Sequence, residues 1–443
     1  MSQNGVVEGV GRDLTRSTSL VDDTVVNGSA WQATAALKVN VMLAAMIVLA
    51  VLSQFFRSSN GVIAPEMMAE LNFDAQAIGL SSGAFFVIFA LLQLPIGVLF
   101  DRYGPRRVVS AMLIFAVIGS GLFAVAHSLG LLVAGRFLIG FGFAGGMVGS
   151  LVVLSRWLDP TEFTRAMTIL FASANLGSLL ATSPLSAATE AIGWRATFGV
   201  LSAVTAVVAV GFFWLVRDEP SVRRRVASRS ESLTASIRGV AEVFRVPGLL
   251  CILPLVALGY SSIITIIGLW GGPFLHDVHD VDGLDRGNML SVLAVAFVAG
   301  TLAYGPIQRR VGSFRPVVIG GGIGSAALML LMAAVCDASL SLTLPLLVTT
   351  CFVGAFSVVL MGHGVALIPS DLKGRGTTAL NGVLMGGTAL LQIGSGAVVE
   401  AVHDMIGSPS SGYAGFFAVL GLLMVAATIV YLATPEPKQR GRD

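Results

Sequence analysis

Twelve stretches of this chain are apolar over about twenty residues each and are parted by short charged turns, an arrangement that excludes almost every soluble fold. A helix crossing a bilayer needs about 20 mostly apolar residues, because a backbone that cannot reach water must bond within itself. The runs fall at 38–64, 75–100, 107–127, 129–156, 164–190, 195–216, 247–273, 286–308, 315–336, 340–369, 375–402 and 411–433. Only His127 and Ser128 part the third from the fourth. Charged residues are 12% of the chain, against about 25% in a typical soluble domain, and they gather in the turns. The expected architecture is an all-α integral membrane protein with twelve transmembrane helices.

The runs divide into two halves. Residues 1–37 are polar and lack the apolar core of a signal peptide, so they are expected to form a flexible cytosolic tail. A six-helix bundle over 38–216, a cytosolic linker over 217–246 carrying Arg223, Arg224 and Arg225, a second six-helix bundle over 247–433 and a short tail over 434–443 follow. Gly97-Val98-Leu99-Phe100-Asp101-Arg102-Tyr103-Gly104 aligns with Gly305-Pro306-Ile307-Gln308-Arg309-Arg310-Val311-Gly312 at an offset of 208. Gly177 and Glu190 align with Gly387 and Glu400 at an offset of 210, so the halves read as a parallel repeat. Arg102, Arg106, Arg107, Arg156, Arg165, Arg309, Arg310, Arg315, Lys373 and Arg375 lie on one side of the spans. Glu66, Glu70, Asp74, Asp277, Asp280, Asp282 and Asp285 lie on the other, which places both termini in the cytosol by the positive-inside rule.

The turn from Gly97 to Arg107 stops one helix at Gly104-Pro105 and starts another, with its charges at a membrane surface. Its pattern, Gly-x-Leu-x-Asp-Arg-x-Gly-x-Arg-Arg, resembles the loop between helices 2 and 3 of the major facilitator superfamily. Gly135-Arg136-Phe137-Leu138-Ile139-Gly140-Phe141-Gly142 resembles that family's Arg-bearing fourth-helix motif. The resemblance implies two pseudo-symmetric six-helix bundles that rock around a central site. It also implies that Gly97, Asp101, Arg102, Gly104, Arg106 and Arg107 serve a cytosolic gate. By pseudo-symmetry Asp101 would meet Arg375 and Arg309 would meet Glu162, with the charge order reversed in the second pair. Arg309 also reads simply as an inside-positive anchor.

Depth and polarity single out Arg57, Asn60, Arg136, Asn175, Tyr260 and Gln392 as candidate cavity-lining residues, each of which could equally be a satisfied packing residue. Arg57 and Arg136 both fall about two turns below the acidic surface if the first span ends near Pro65. Two guanidinium groups facing one wet space would repel, and a mobile anion would relieve them. The alternatives are that both snorkel outward, or that Arg136 braces helices through backbone carbonyls.

Other signals are set aside. Gly140-Phe141-Gly142-Phe143-Ala144-Gly145 and Gly79-Leu80-Ser81-Ser82-Gly83 match nucleotide and hydrolase patterns without the strands those sites need. The His276–Asp285 run has metal-ligand types at no known spacing and reads as a solvated acidic loop. There is no Gly-x-x-x-x-Gly-Lys-Ser/Thr phosphate-binding loop, which excludes direct ATP drive; a transporter and not an enzyme is expected, with no cofactor and no nucleic-acid partner. Span 5 reads Ala172-Ser173-Ala174-Asn175-Leu176-Gly177 and lacks the Gly-Pro-x-x-Gly-Gly run that the resembled family's drug antiporters carry. No Asp or Glu lies mid-span: Glu190 and Glu400 sit at outer ends and His363 toward the cytosolic third of span 10. That favours exchange or facilitated movement over proton symport through a central carboxylate.

The expectation is a secondary or facilitative transporter of a small solute, an anion favoured, in a bacterial inner membrane and as a monomer in the bilayer. The alternatives are a proton-coupled exporter of amphipathic compounds and a non-transporting sensor.

Overall fold

The computed structural model describes residues 37–93, 95–218, 241–370 and 372–437. Expectations for the N-terminal tail, most of the linker and the end of the C-terminal tail fall outside the described residues. The first half contains α1 (Leu37–Ser58, continued past a bend at Ser59 by Asn60–Leu71), α2 (Ala75–Leu92, then Pro95–Tyr103) and α3 (Pro105–Ala124). It continues with α4 (Leu129–Phe143 and Gly146–Trp157), α5 (Pro160–Leu180, extended by 183–192) and α6 (194–215). The second half contains α7 (Leu249–Thr265, a wide turn at Ile266–Trp270, then Gly271–His279), α8 (Gly283–Val311) and α9 (Arg315–Ala334). It closes with α10 (Leu340–Gly354 and Ser357–Leu367), α11 (Lys373–Ile406) and α12 (Pro409–Tyr431).

Local chemistry sets these boundaries. The short interruption at His127-Ser128 is a true helix end, because the Ser128 hydroxyl accepts the Leu131 N–H and caps α4. Asp74 and Asp159 cap α2 and α5 in the same way, and Pro105, Pro160 and Pro409 occupy first-turn positions that need no N–H. Among the described residues eleven helices are apolar and long enough to cross a membrane. Ser183–Leu215 is continuous in hydrogen bonding yet turns at Gly193, where φ is 80°, so it supplies the end of α5 and all of α6. Pro160–Leu180, which carries Arg165 and Asn175, is the more polar start of the remaining traverse.

The sequence repeat is a packing repeat. A Cβ on Gly177 of α5 would lie 2.1 Å from the Val51 carbonyl oxygen of α1, and one on Gly387 of α11 would lie 2.2 Å from the Ala257 carbonyl oxygen of α7. Each half thus uses one glycine to bring the same two helices into backbone contact. The paired glutamates match as well. Glu400 of α11 accepts the Ala75 N–H at the start of α2 (2.9 Å), and the Glu190 carboxylate of α5 lies against Gly283 at the start of α8. A carboxylate is favoured at a helix N-terminus by its unpaired N–H groups.

These contacts belong to a seam that closes the acidic face between the halves. Arg286 of α8, fully buried, donates to the Val62 carbonyl (3.1 Å) and to the Glu66 carboxylate of α1. Ser186 donates to the Gly283 carbonyl (2.6 Å), and Ser291 shares hydrogen bonds with Thr182 and Ser183 at 2.7 Å. Along α2 and α11 the seam runs inward to Gln93, whose side-chain carbonyl accepts from Asn381 at 3.0 Å. Beyond that level Asp101, Glu162 and Arg309 are all exposed.

The first helix does not end near Pro65. It runs through that residue to Leu71, so Arg57 lies deeper than two turns from the helix end. Pro65 has no N–H to give the Gly61 carbonyl, and that carbonyl is instead pressed against Gly272 of α7.

Candidate functional site

Two guanidinium groups and two phenyl rings form the centre of the first half. Gly135 and Gly140 let α4 press on α3 and α2, since a Cβ there would stand 2.9 Å from the Gly119 carbonyl oxygen and 2.4 Å from that of Phe85. Arg136, between them, is therefore fully enclosed. Its Nη1 donates to the Phe56 carbonyl of α1 at 2.8 Å, and its guanidinium carbon lies 5.2 Å from the centre of the Phe85 ring. Arg57, the next residue along α1, is only partly buried and lies 4.8 Å over the Phe89 ring. Phe85 and Phe89 stack on one another, with centroids 5.8 Å apart and planes 24° from parallel.

The bond from Arg136 to Phe56 puts the two arginines at one height, but they differ in access. Arg136 braces α1 through a backbone carbonyl, one of the alternatives its sequence position left open. Aromatic faces receive both cations, each contact being worth about 0.5–2 kcal/mol. Among the described residues no carboxylate pairs with Arg57, and no hydrogen bond from its guanidinium to another described residue is present; its Nε is enclosed without a partner. The rings are on α2, which sequence reading passed over because phenylalanine at helical spacing looks like ordinary core.

The remaining candidates scatter. Asn60 and Gln392 are fully buried with both amide atoms unpartnered, in the wall where α1, α2, α7 and α11 meet. Asn60 adjoins Gly61, which abuts the Gly268 backbone, and the main-chain carbonyl of Gln392 faces Gly79 and accepts from the Ser395 hydroxyl. Tyr260 is partly buried, edge-on to Phe297 at 6.1 Å. Asn175 turns back on its own helix and donates to the Phe171 carbonyl at 3.2 Å. On the acidic loop, His276 contacts Asp277 (2.8 Å) and Asp282 (3.2 Å).

At the basic face the turn after α2 is anchored within its own half. Gly104 has φ 81°, and its repeat partner Gly312 has φ 73°, values that glycine adopts without a Cβ penalty. The Arg106 N–H donates to Asp218 (2.7 Å), its Nε donates to the Phe213 carbonyl (2.6 Å), and its guanidinium lies 4.3 Å over the Phe213 ring. Asp218 thereby caps the start of α3 from beyond the end of α6. Asp218 went unmarked in the sequence because it stands outside the motif. Gly97 has open space around it, and Asp101 and Arg102 are exposed.

The Major Facilitator Superfamily family model matches residues 46–392. The chain belongs to the major facilitator superfamily. Among solved structures this superfamily transporter resembles the nucleoside transporter NupG, with a TM-score of 0.69 at 14% identity over 89% of this chain and 98% of that one. It also resembles a bacterial homologue of the human lysosomal transporter Spinster in an inward-facing conformation, with a TM-score of 0.67 at 17% identity over 89% and 96% of the two chains. A putative tartrate transporter of Agrobacterium vitis is 24% identical over 87% of this chain and 91% of that protein. A probable L-galactonate transporter of Escherichia coli (strain K12) is 27% identical over 39% of this chain and 38% of its own length. The nitrate/nitrite transporter NrtP of Nostoc punctiforme is 32% identical over 29% of this chain and 27% of that protein. The transporter is thus a multi-pass integral membrane protein of the twelve-helix fold.

Proposed function

We propose that this transporter moves a small anion across the membrane by alternating access, with Arg57 as the group that receives it. The observation that carries the reading is Arg57 itself. It is a guanidinium deep in α1, partly exposed, stacked on Phe89, and without a carboxylate partner among the described residues. An unpaired cation at membrane depth is costly, and a carboxylate, nitrate or phosphate fits its planar fork. The relatives named for tartrate, L-galactonate and nitrate/nitrite support this, since those solutes are anions at neutral pH.

The basic face is assigned to the cytosol by the positive-inside rule, and the bacterial relatives favour an inner membrane. The described conformation is then the one closed to the outside. In the opposite state Asp101 meets Arg375 and Arg309 meets Glu162. One chain holds the whole site, so a monomer suffices.

Replacing Arg57 with Lys keeps the charge and removes the fork. Uptake of tartrate, nitrate and phosphate into proteoliposomes should fall about tenfold or more for any of these that wild type carries, with protein abundance unchanged. Normal uptake by Arg57→Lys, or a cationic substrate, would refute the anion site.

The mode proposed is exchange or facilitated movement, because among the described residues no carboxylate pairs with Arg57 to carry a proton. Reconstituted vesicles should show anion flux with no strictly coupled proton flux. Coupled proton flux that survives neutral replacement of Glu190, Glu400 and His363 would overturn this.

A further inference from the structure

We infer that Arg136 is a positioning residue for the anion site: it fixes Arg57 and does not touch the solute. The inference rests on the proposal that Arg57 receives the anion. Arg136 has no accessible surface, being walled in by α1, α2 and the glycine-lined contact with α3. Its hydrogen bond goes to the Phe56 carbonyl, in the peptide unit that leads directly into Arg57. The helical run of α1 is interrupted two residues later at Ser59, whose hydroxyl donates to the same carbonyl at 3.3 Å. Carbonyls in the last turn before such an interruption are short of helical donors and attract a cation. Arg136 therefore holds the peptide unit that orients the Arg57 side chain.

The rings provide a second tie. Phe85 lies under Arg136, Phe89 lies under Arg57, and the two rings stack. The arginines are coupled through α2 as well as through the α1 backbone. Removal of Arg136 leaves the charge and fork of Arg57 intact but frees its direction. All anions should then lose affinity by the same factor, because the contacting group is unchanged. Replacing the contacting group itself should instead reorder them, since planar nitrate, a carboxylate and tetrahedral phosphate use the fork differently.

The test measures KM, maximal rate and the order of preference among tartrate, nitrate and phosphate in proteoliposomes for Arg136→Gln, Arg136→Lys and Arg57→Lys. Melting temperature is followed in parallel. Loss of a hydrogen bond from a charged donor predicts that Arg136→Gln raises KM about tenfold for every anion carried, with maximal rate within about twofold and the order unchanged. Arg136→Lys, which can still donate to the Phe56 carbonyl, should recover most of that loss. Arg57→Lys should change the order. A changed order in Arg136→Gln would mean direct contact and overturn the inference. An unchanged KM with only a lowered melting temperature would make Arg136 merely structural and overturn it too. If Arg136→Gln does not accumulate, Phe85→Leu, which withdraws the ring beneath Arg136, must give the same uniform rise in KM or the inference fails. Normal transport by Arg57→Lys removes the anion site itself, an outcome distinct from all of these.

Discussion

Arg286→Met should open the acidic face and cut transport several-fold without unfolding the protein. Arg286 sits on α8 and binds the Val62 carbonyl and the Glu66 carboxylate of α1, so it spans the two halves at their closed end. Its own side chain is 2% exposed, but that of Glu66 is 39% exposed, and solvent screens part of the pair. The loss is therefore about 1–2 kcal/mol, below the ~3–5 kcal/mol of breaking a fully buried pair, and equals about 5–30-fold in the ratio of the two states. Met fills the volume of the Arg stem, and the close approach of the neighbouring Gly287 to Ser186 is kept. With Cys251, Cys336 and Cys351 replaced by Ser, a cysteine at the fully buried Ala64 should react about tenfold faster with an impermeant thiol reagent added at the acidic face. Spin labels at Arg102 and Gly374, beside the proposed Asp101–Arg375 contact, should move closer as the basic face closes. Unchanged labelling at Ala64 would show that the pair does not hold the state. Labels that stay apart while Ala64 becomes reactive would remove the proposed basic-face contacts.

A larger loss is expected from Gly272→Val. A Cβ on Gly272 would stand 1.8 Å from the Gly61 carbonyl oxygen, inside any permitted contact, and the obstacle is backbone and cannot rotate away. Each helix is tight at that point for its own reason. Pro65 frees the Gly61 carbonyl to face α7, and the wide turn at Ile266–Trp270 brings Gly272 round toward α1. Valine should therefore prevent the acidic face from closing, while each bundle, held by the contacts among its own helices, stays folded. Net transport should drop by about two orders of magnitude, more than the loss of a typical neutral hydrogen bond would give. Binding of tartrate, nitrate or phosphate from the acidic face should persist for any of these that wild type binds. Transport near the wild-type rate would show that α1 and α7 never close to the distance described. Loss of both binding and folding would show that the contact supports the bundle itself.

Much of this architecture is written locally. A run of apolar residues must become a helix in a bilayer whatever surrounds it, so the number and order of traverses follow from composition alone. The repeat was legible because Gly177 and Gly387, and Glu190 and Glu400, perform the same task in each half and keep near-equal offsets. Gly104 could be placed in a turn because Pro105 follows it. The extent of α1 was not legible: Pro65 reads as a stop, yet its missing N–H costs little when the freed carbonyl lies against Gly272 of another helix.

What the sequence by itself determined is the membrane fold, the two-half repeat, the basic and acidic faces, and a short set of polar residues buried at membrane depth. Only the tertiary structure separated Arg57 from Arg136, because a guanidinium's role depends on which partners reach it, and Phe56, Phe85 and Phe89 come from other turns and helices. It also decided that Arg286, a cation on the acidic side, reaches across to Glu66 of the other half. A residue 220 positions away in the chain becomes a neighbour only when both halves have folded and met.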